Sequence, residues 1–256
     1  MKYYYEDAQS KLIQGNTFSI LKKLPAQYFD MIFADPPYFL STGGITCHAG
    51  KIVSVDKGEW DKPKDSKEKL AFNKKWIHLC KRLLKPTGTI WITGTFHNIY
   101  SIGVALELEG FHILNNITWQ KTNPPPNLSC KCFTHSTETI LWACLPDTQG
   151  KKTYTFNYQE MKKQNNNKQM KDVWTGSLVK PSEKKEGKHP TQKPLYLLER
   201  IIQASTKEGD CILDPFAGSS TTGVAAKVLK RNYIGIELEL EYLELSKRRL
   251  ANCNEE

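Results

Sequence analysis

Long apolar runs are missing from this 256-residue chain. Nothing approaches the roughly 20 consecutive apolar residues that a membrane-spanning helix needs. The first residues, MKYYYEDAQSKL, lack the apolar stretch of a secretory leader. A soluble, cytoplasmic protein with no membrane partner is expected. Paired cysteines are missing too. The seven cysteines are an odd number and form no CxxC, which argues against a disulfide framework and against a zinc knuckle. The one cluster that suggests a metal, Cys130, Cys132 and His135 in CKCFTH, lacks the paired spacing, so no metal is expected. Neither a G-x-G-x-x-G nor a Walker lysine turn occurs, which speaks against a nicotinamide enzyme and against a nucleoside-triphosphate cradle. There are no internal repeats and no heptads.

What is present begins with charge. The net charge of +9 suits a nucleic-acid partner without requiring one. The length fits a single domain, residues 1–256, with room for an insertion. Four apolar stretches read as buried strands: FDMIFAD (29–35), GTIWITGT (88–95), CILDPF (211–216) and NYIGIEL (232–238). NNITWQ (115–120) and ETILWACL (138–145) read as further strands. Helical patterns lie between them, at 18–24, 71–84, 98–110, 195–205, 221–230 and 241–250. Strands that are apolar throughout and alternate with helices predict an α/β fold, a parallel sheet covered on both faces. Two segments break the alternation. Residues 41–69 are polar and Gly-rich and read as a long mobile loop. Residues 146–188 hold ten Lys against five Asp or Glu, with Tyr154, Phe156, Tyr158 and Trp174 interleaved; a solvated insertion is the plain reading and a nucleic-acid contact the functional one.

CILDPFAGSSTTGVAAKVLKRNYIGIELE (211–239) reads as strand, small-residue turn, helix and strand. Ala217, Gly218, Ser219 and Ser220 let a ligand approach the backbone, and the helix start offers free N–H groups. Glu237 ends the second strand, 23 positions after Asp214, the spacing at which an acid reaches a ribose diol. An adenosyl ligand without a pyrophosphate, such as S-adenosylmethionine, fits this turn better than NAD or ATP.

A second motif ends the first strong strand. In MIFADPPYFL (31–40), two prolines stop strand pairing. Asp35 is an acceptor, Pro36 and Pro37 offer carbonyls in fixed directions, and Tyr38 offers a flat face. Together they suit a planar ring bearing an amino group, with the amine donating to Asp35 and to the Pro36 carbonyl. Acceptors on both hydrogens free the nitrogen lone pair and stabilise charge as a methyl group arrives. A base in a duplex must leave the stack to reach such a site. On the residues alone, adenine-N6, cytosine-N4 and RNA-base methylation stay open, as does a regulator without catalysis.

Taken together, IFADPPYFLSTGGI, VSVDKGEWDK, NNITWQKTNPPPNLSC, FTHSTETILWA, QMKDVWTGSL, GKHPTQKPLYLLERII and DPFAGSS resemble the amino-methyltransferases of DNA. With DPPY first and the cofactor turn last, the chain is similar to the permuted β group, to its HinfI-like adenine-N6 enzymes, and most of all to the second, DpnA-like methyltransferase of DpnII-type restriction-modification systems. The resemblance implies a Rossmann-like methyltransferase fold with a mostly parallel seven-stranded sheet. It implies Asp35, Pro36, Pro37 and Tyr38 as the catalytic motif. It implies an S-adenosylmethionine site lined by Asn16, Asp35, Thr191, Lys193, Asp214, Phe216, Ala217, Gly218, Ser219 and Glu237. Residues 127–188 would be the target-recognition insertion and 189–256 the C-terminal part carrying the cofactor unit; Lys121 and Asn123 are pocket candidates by family position. The implied target is adenine in GATC, in double-stranded and also single-stranded DNA, and members of the group are often homodimers. One departure stands out: the family turn reads Phe-x-Gly-x-Gly, and Ser220 replaces the last Gly. Ser there is expected to act as a helix N-cap and to leave cofactor binding intact. Trp91, Trp119 and Trp142 are expected in the core, His78 on a helix surface, and Trp60 beside Asp61 as an exposed aromatic near DNA.

Overall fold

The alternation of apolar strands and amphipathic helices folds as one twisted sheet with helices on both faces. The structure, a computed structural model, describes residues 2–39, 44–48, 51–55 and 65–253. Its elements run β1 Tyr5–Glu6, β2 Ser10–Gln14, α1 Thr17–Leu21, β3 Phe29–Ala34, β4 Gly44–His48, β5 Lys51–Val55, α2 Ser66–Leu83, β6 Leu84–Gly94, α3 Ile99–Leu108, β7 His112–Lys121, β8 Thr137–Cys144, α4 Tyr158–Gln164, β9 Val173–Gly176, α5 Leu195–Ser205, β10 Cys211–Asp214, α6 Thr221–Val228, β11 Asn232–Glu237 and α7 Leu240–Ala251. The sheet order is β1-β2-β11-β10-β3-β6-β8-β7-β9. The expected seven strands form its centre, and two short edge strands, β1 and β9, bring it to nine. Strands of two and four residues carry too little pattern to be read from sequence. The neighbours β2, β11, β10, β3 and β6 pair in parallel, whereas β8 is antiparallel to both its neighbours.

The pleat divides the core in two. Ile32 and Ala34 of β3 point to the face covered by α1, α2 and α3, where Trp76, Ile77, Ile102 and Leu106 meet them. Met31 and Phe33 point to the other face, with Leu198, Ile201, Ala225 and Leu243 from α5, α6 and α7. Trp91, Trp119 and Trp142 are buried in this second layer as expected; Trp91 and Trp142 stack at 4.8 Å. His78 is on the helix surface, 2.8 Å from Glu109.

One expectation is corrected and another holds only in part. Residues 41–69 are not one loop: β4 and β5 form an antiparallel hairpin, and α2 begins at Ser66. That start is fixed by a capping box, with Asp65 accepting from the Glu68 amide at 2.7 Å and Glu68 reaching back to the Asp65 amide. Trp60 and Asp61 lie outside the described residues. The aromatics of 146–188 divide, with Phe156 and Tyr158 exposed and the other two packed inward. Trp174 is buried beneath Arg200, and Tyr154 packs edge-on against Trp142. Apolar contact with the sheet's second face has taken Trp174 from solvent and half-buried Tyr154. Among the described residues no helix is long and apolar enough to cross a membrane.

Candidate active site

The crevice opens at the carboxyl ends of β2, β11, β10, β3 and β6, where ligands bind in open α/β sheets. β3 pairs directly with β10, in the register Ile212–Met31 and Leu213–Ile32. The DPPY segment and the small-residue turn therefore leave adjacent parallel strands at the same edge. Between them lies a cavity of about 390 Å³, within the size range of small-molecule sites. Every residue implied for the catalytic motif and the cofactor site, from Asn16 and Asp35–Tyr38 through Thr191 and Lys193 to Asp214, Phe216–Ser219 and Glu237, lines this one cavity, whereas the pocket candidates Lys121 and Asn123 do not.

On the turn side, hydrogen bonds leave little freedom. Asp214, buried at the end of β10, accepts from the Phe216 amide at 3.0 Å and the Thr222 hydroxyl at 2.6 Å. Burial pushes its carboxyl up to about 7 despite those donors. Glu237 accepts from the amides of Gly218, Leu238 and Glu239 at 2.8–2.9 Å, and burial raises it as well. From α7, Ser246 donates to the Gly218 carbonyl and Arg249 donates to the Ser219 carbonyl and to the hydroxyls of Ser219 and Thr221. Gly218 sits at φ +51, and a Cβ there would meet the His189 ring at 3.1 Å. The HPTQKP loop thus packs straight onto the turn, with His189 edge-on to Tyr242. Asn16 caps α1, its side-chain oxygen accepting from Phe18 and Ser19.

Ser220 corrects its expectation. It holds the N-cap place of α6 but makes no side-chain cap bond, and its backbone is left-handed at φ 52, ψ 40. That conformation explains why the family favours Gly at this position. The Ser220 hydroxyl instead accepts from the buried Tyr233 hydroxyl at 3.2 Å.

On the DPPY side, Asp35 is the hub. Its Oδ1 accepts from Thr93 at 2.6 Å and from the Tyr38 hydroxyl at 2.5 Å. Its Oδ2 accepts from Lys193 Nζ at 2.7 Å, and the same ammonium lies 2.9 Å from the Tyr38 hydroxyl. Lys193 also approaches Glu138 at 3.5 Å, whose other oxygen pairs with Lys121 at 2.7 Å. Burial opposes the charges of this cluster. Even so, Asp35 and Glu138 hold Lys193 above its ordinary value, and Lys193 and Lys121 hold Glu138 below. Tyr38 is only 6% exposed, with its hydroxyl drawn inward; its ring lines the cavity without standing out from it. The Pro37 carbonyl is not offered to a ligand, because it accepts from Asn98 Nδ2 at 2.8 Å. Asn98 in turn accepts from Asn73, which accepts from Trp76 Nε1. Asn123 donates no contact to the cavity; its side-chain oxygen accepts from the Leu178 amide.

Sequence reasoning missed Thr93, Asn98, Asn73, Glu138 and His189. Their only signal was position: Thr93 and Asn98 flank the end of β6, the strand beside β3, and Glu138 opens β8.

A sequence profile described as DNA methylase matches residues 29–248. The chain belongs to this family. Among curated relatives, the Type II methyltransferase M2.DpnII of Streptococcus pneumoniae is 63% identical over 99% of the chain and 94% of its own length. M.HinfI of Haemophilus influenzae is 44% identical over 98% of the chain and 70% of its own. Among solved structures, the M1.HpyAVI–SAM complex is 31% identical with a TM-score of 0.68, covering 94% of the methylase and 98% of that chain. The cytosine-N4-specific PvuII methyltransferase, at 18% identity and TM-score 0.77 over 99% of the methylase and 91% of that chain, shares the fold.

Proposed function

We propose that this methylase transfers a methyl group from S-adenosylmethionine to N6 of adenine in DNA, as the modifying component of a restriction-modification system. The observation that carries the reading is the placement of Asp35 and the Asp214–Ser220 turn on neighbouring strands over one cavity. The residues suit the cofactor. Glu237 has acceptor capacity left for a ribose diol after its three amide bonds. Asp35, Glu237 and Glu239 border the cavity with carboxylates that suit a cationic sulfonium. When bound, that sulfonium supplies an electrophilic methyl.

The chain's own residues do the rest. Asp35, steadied by Thr93, accepts one amine hydrogen. The Pro36 carbonyl is assigned the other, because Pro37's is committed to Asn98. Transfer makes one N–C bond, breaks one S–C bond and releases one amine proton to water. Asp35 over a cytosine-type Ser favours adenine. The proposal extends to GATC as the target, to single-stranded as well as duplex DNA, and to a homodimer that sedimentation would reveal.

The test is methyl transfer to GATC and scrambled oligonucleotides, single- and double-stranded, with the product digested to nucleosides. N6-methyladenine confined to GATC is expected. N4-methylcytosine, or methylation indifferent to sequence, would reject the reading. Asp35→Ala should abolish transfer while calorimetry still detects cofactor binding.

A further inference from the structure

Three exposed rings, Phe96, His97 and His135, cluster beside the residues that hold the DPPY segment, outside the cavity, and Phe133 precedes His135 by two positions on the same segment. Phe96 is 47% exposed and Phe133 96% exposed. His97 and His135 are exposed as well. Phe96 stacks on His135 at 4.7 Å with the planes 27° apart, and it also contacts His97. These rings are held in place. Phe96 and His97 lie between Thr93, which donates to Asp35, and Asn98, which donates to the Pro37 carbonyl. Thr95 pairs with His97 Nδ1, and Lys69 donates to the His97 carbonyl at 3.1 Å. His135 stands just before β8, whose second residue, Glu138, pairs with Lys193.

These aromatics touch one another across two segments and keep much of their surface in solvent, and their surroundings narrow the partner. The chain carries +9, Lys69 donates to the His97 carbonyl, and the exposed Lys131 lies two positions before Phe133. Aromatic faces among cations suit nucleobases on a phosphate backbone, because every base offers a π-face and every phosphate a charge. We propose that Phe96, His97, Phe133 and His135 form a stacking subsite for unpaired bases flanking the target adenine. The proposal rests on the DNA-adenine reading above: drawing one base into the cavity at Asp35 unstacks its neighbours, and these rings stand on the segments that carry Thr93, Asn98 and Glu138 around the DPPY segment. Of the interleaved aromatics at 154–174, Trp174 is buried and Tyr154 packs on Trp142, while the exposed Phe156 and Tyr158 lie with Thr206–Glu208 and Leu229–Arg231 at the amino ends of β10 and β11, away from the crevice.

The test uses oligonucleotides with 2-aminopurine next to the target adenine, single-stranded and duplex, titrated with wild type, Phe96→Ala, Phe133→Ala and Phe96→Tyr. Stacking should quench the probe in wild type. Each Ala variant should lose the quench and bind single strands on the order of tenfold more weakly, with KM raised and S-adenosylmethionine affinity kept. Phe96→Tyr should restore both. Phe133 is so exposed that its truncation leaves the fold intact. Unchanged quench and affinity in both Ala variants would overturn the subsite, as would variants whose only change is the monomer–dimer balance. Wild type that quenches the probe yet never methylates adenine would overturn the earlier reading instead.

Discussion

Ser220 is where the sequence departs from its family, and the structure makes the departure measurable. Its left-handed backbone costs a non-Gly residue about 1 kcal/mol. Ser220→Gly removes that strain but adds a comparable entropic cost in the unfolded chain. It also leaves the Tyr233 hydroxyl without its Ser220 acceptor. Tyr233 is fully buried, and it has no room to turn elsewhere. A Cβ on Gly223 would come within 2.5 Å of its ring, and one on Gly235 within 2.4 Å of its hydroxyl. An unsatisfied buried hydroxyl costs about 1–3 kcal/mol. Ser220→Gly should therefore destabilise the protein by about 2 kcal/mol, although it installs the family's usual residue. Tyr233→Phe should cost about 1 kcal/mol, and the double variant should cost less than the sum, because both partners of the bond are then gone. Urea denaturation of the four proteins measures the coupling. A coupling energy within about 0.3 kcal/mol of zero would refute the idea that the Tyr233 bond is what lets Ser occupy the turn.

Gly218→Ala places a Cβ in a left-handed residue and against His189; stability should fall by about 1–2 kcal/mol, and calorimetry should show weaker S-adenosylmethionine binding. Asp214 has a folded-state pKa raised from 3.8 to about 7, so the folded protein holds a proton that the unfolded chain gives up. Its contribution is fully present below about pH 4 and is lost as pH rises through 7, by at most about 4 kcal/mol. Asp214→Asn should flatten that decline in urea titrations between pH 5 and 8, with a smaller slope of the same sign left by Glu237; an unaltered slope would contradict the assignment. Lys193→Met removes the cation shared by two partly buried carboxylates, Asp35 and Glu138. It should cost about 3 kcal/mol at neutral pH, and adding Glu138→Gln should recover part of that in the same denaturation assay.

Much of the fold could be read from the chain because its central strands are apolar on both faces and carry their own boundaries. β3 ends at Ala34 where Asp-Pro-Pro forbids pairing, and β10 ends at Asp214 before a run of small residues. The edges were not legible. β1, β9 and α4 are short, and their apolar residues are fixed by neighbours distant in sequence: Trp174 by Arg200 and Trp91, Met161 by the core under α5. The start of α2 was legible in principle, since Asp65-x-x-Glu68 is a capping box, but it precedes the apolar periodicity that marks the helix. In the site, the motif residues declared themselves by unusual composition. The residues that hold them did not. Thr93, Asn98 and Glu138 are ordinary polar residues whose meaning appears only when β6 and β8 are laid beside β3.

Those supporting residues also join two motifs that lie nearly two hundred positions apart. Trp76 of α2 packs edge-on against Phe216 of the Asp214–Ser220 turn at 5.5 Å. The same indole donates to Asn73, which donates to Asn98, which donates to the Pro37 carbonyl. Across the cavity, Lys193 belongs to the same HPTQKP loop that presses His189 onto Gly218, and its ammonium closes on Asp35 and Tyr38. Turn and DPPY segment are therefore connected twice, once through a buried amide chain beneath the cavity and once through a charged clasp at its side. The two links differ in kind. The amide chain is buried and satisfied, so it fixes the Pro37 carbonyl in one direction. The clasp is an ion pair between side chains that both line the cavity. A ligand competing for the Lys193 ammonium would release Asp35 without disturbing the backbone that presents it. On this geometry the rigid part of the site is the DPPY main chain, and the adjustable part is which group the Asp35 carboxylate faces.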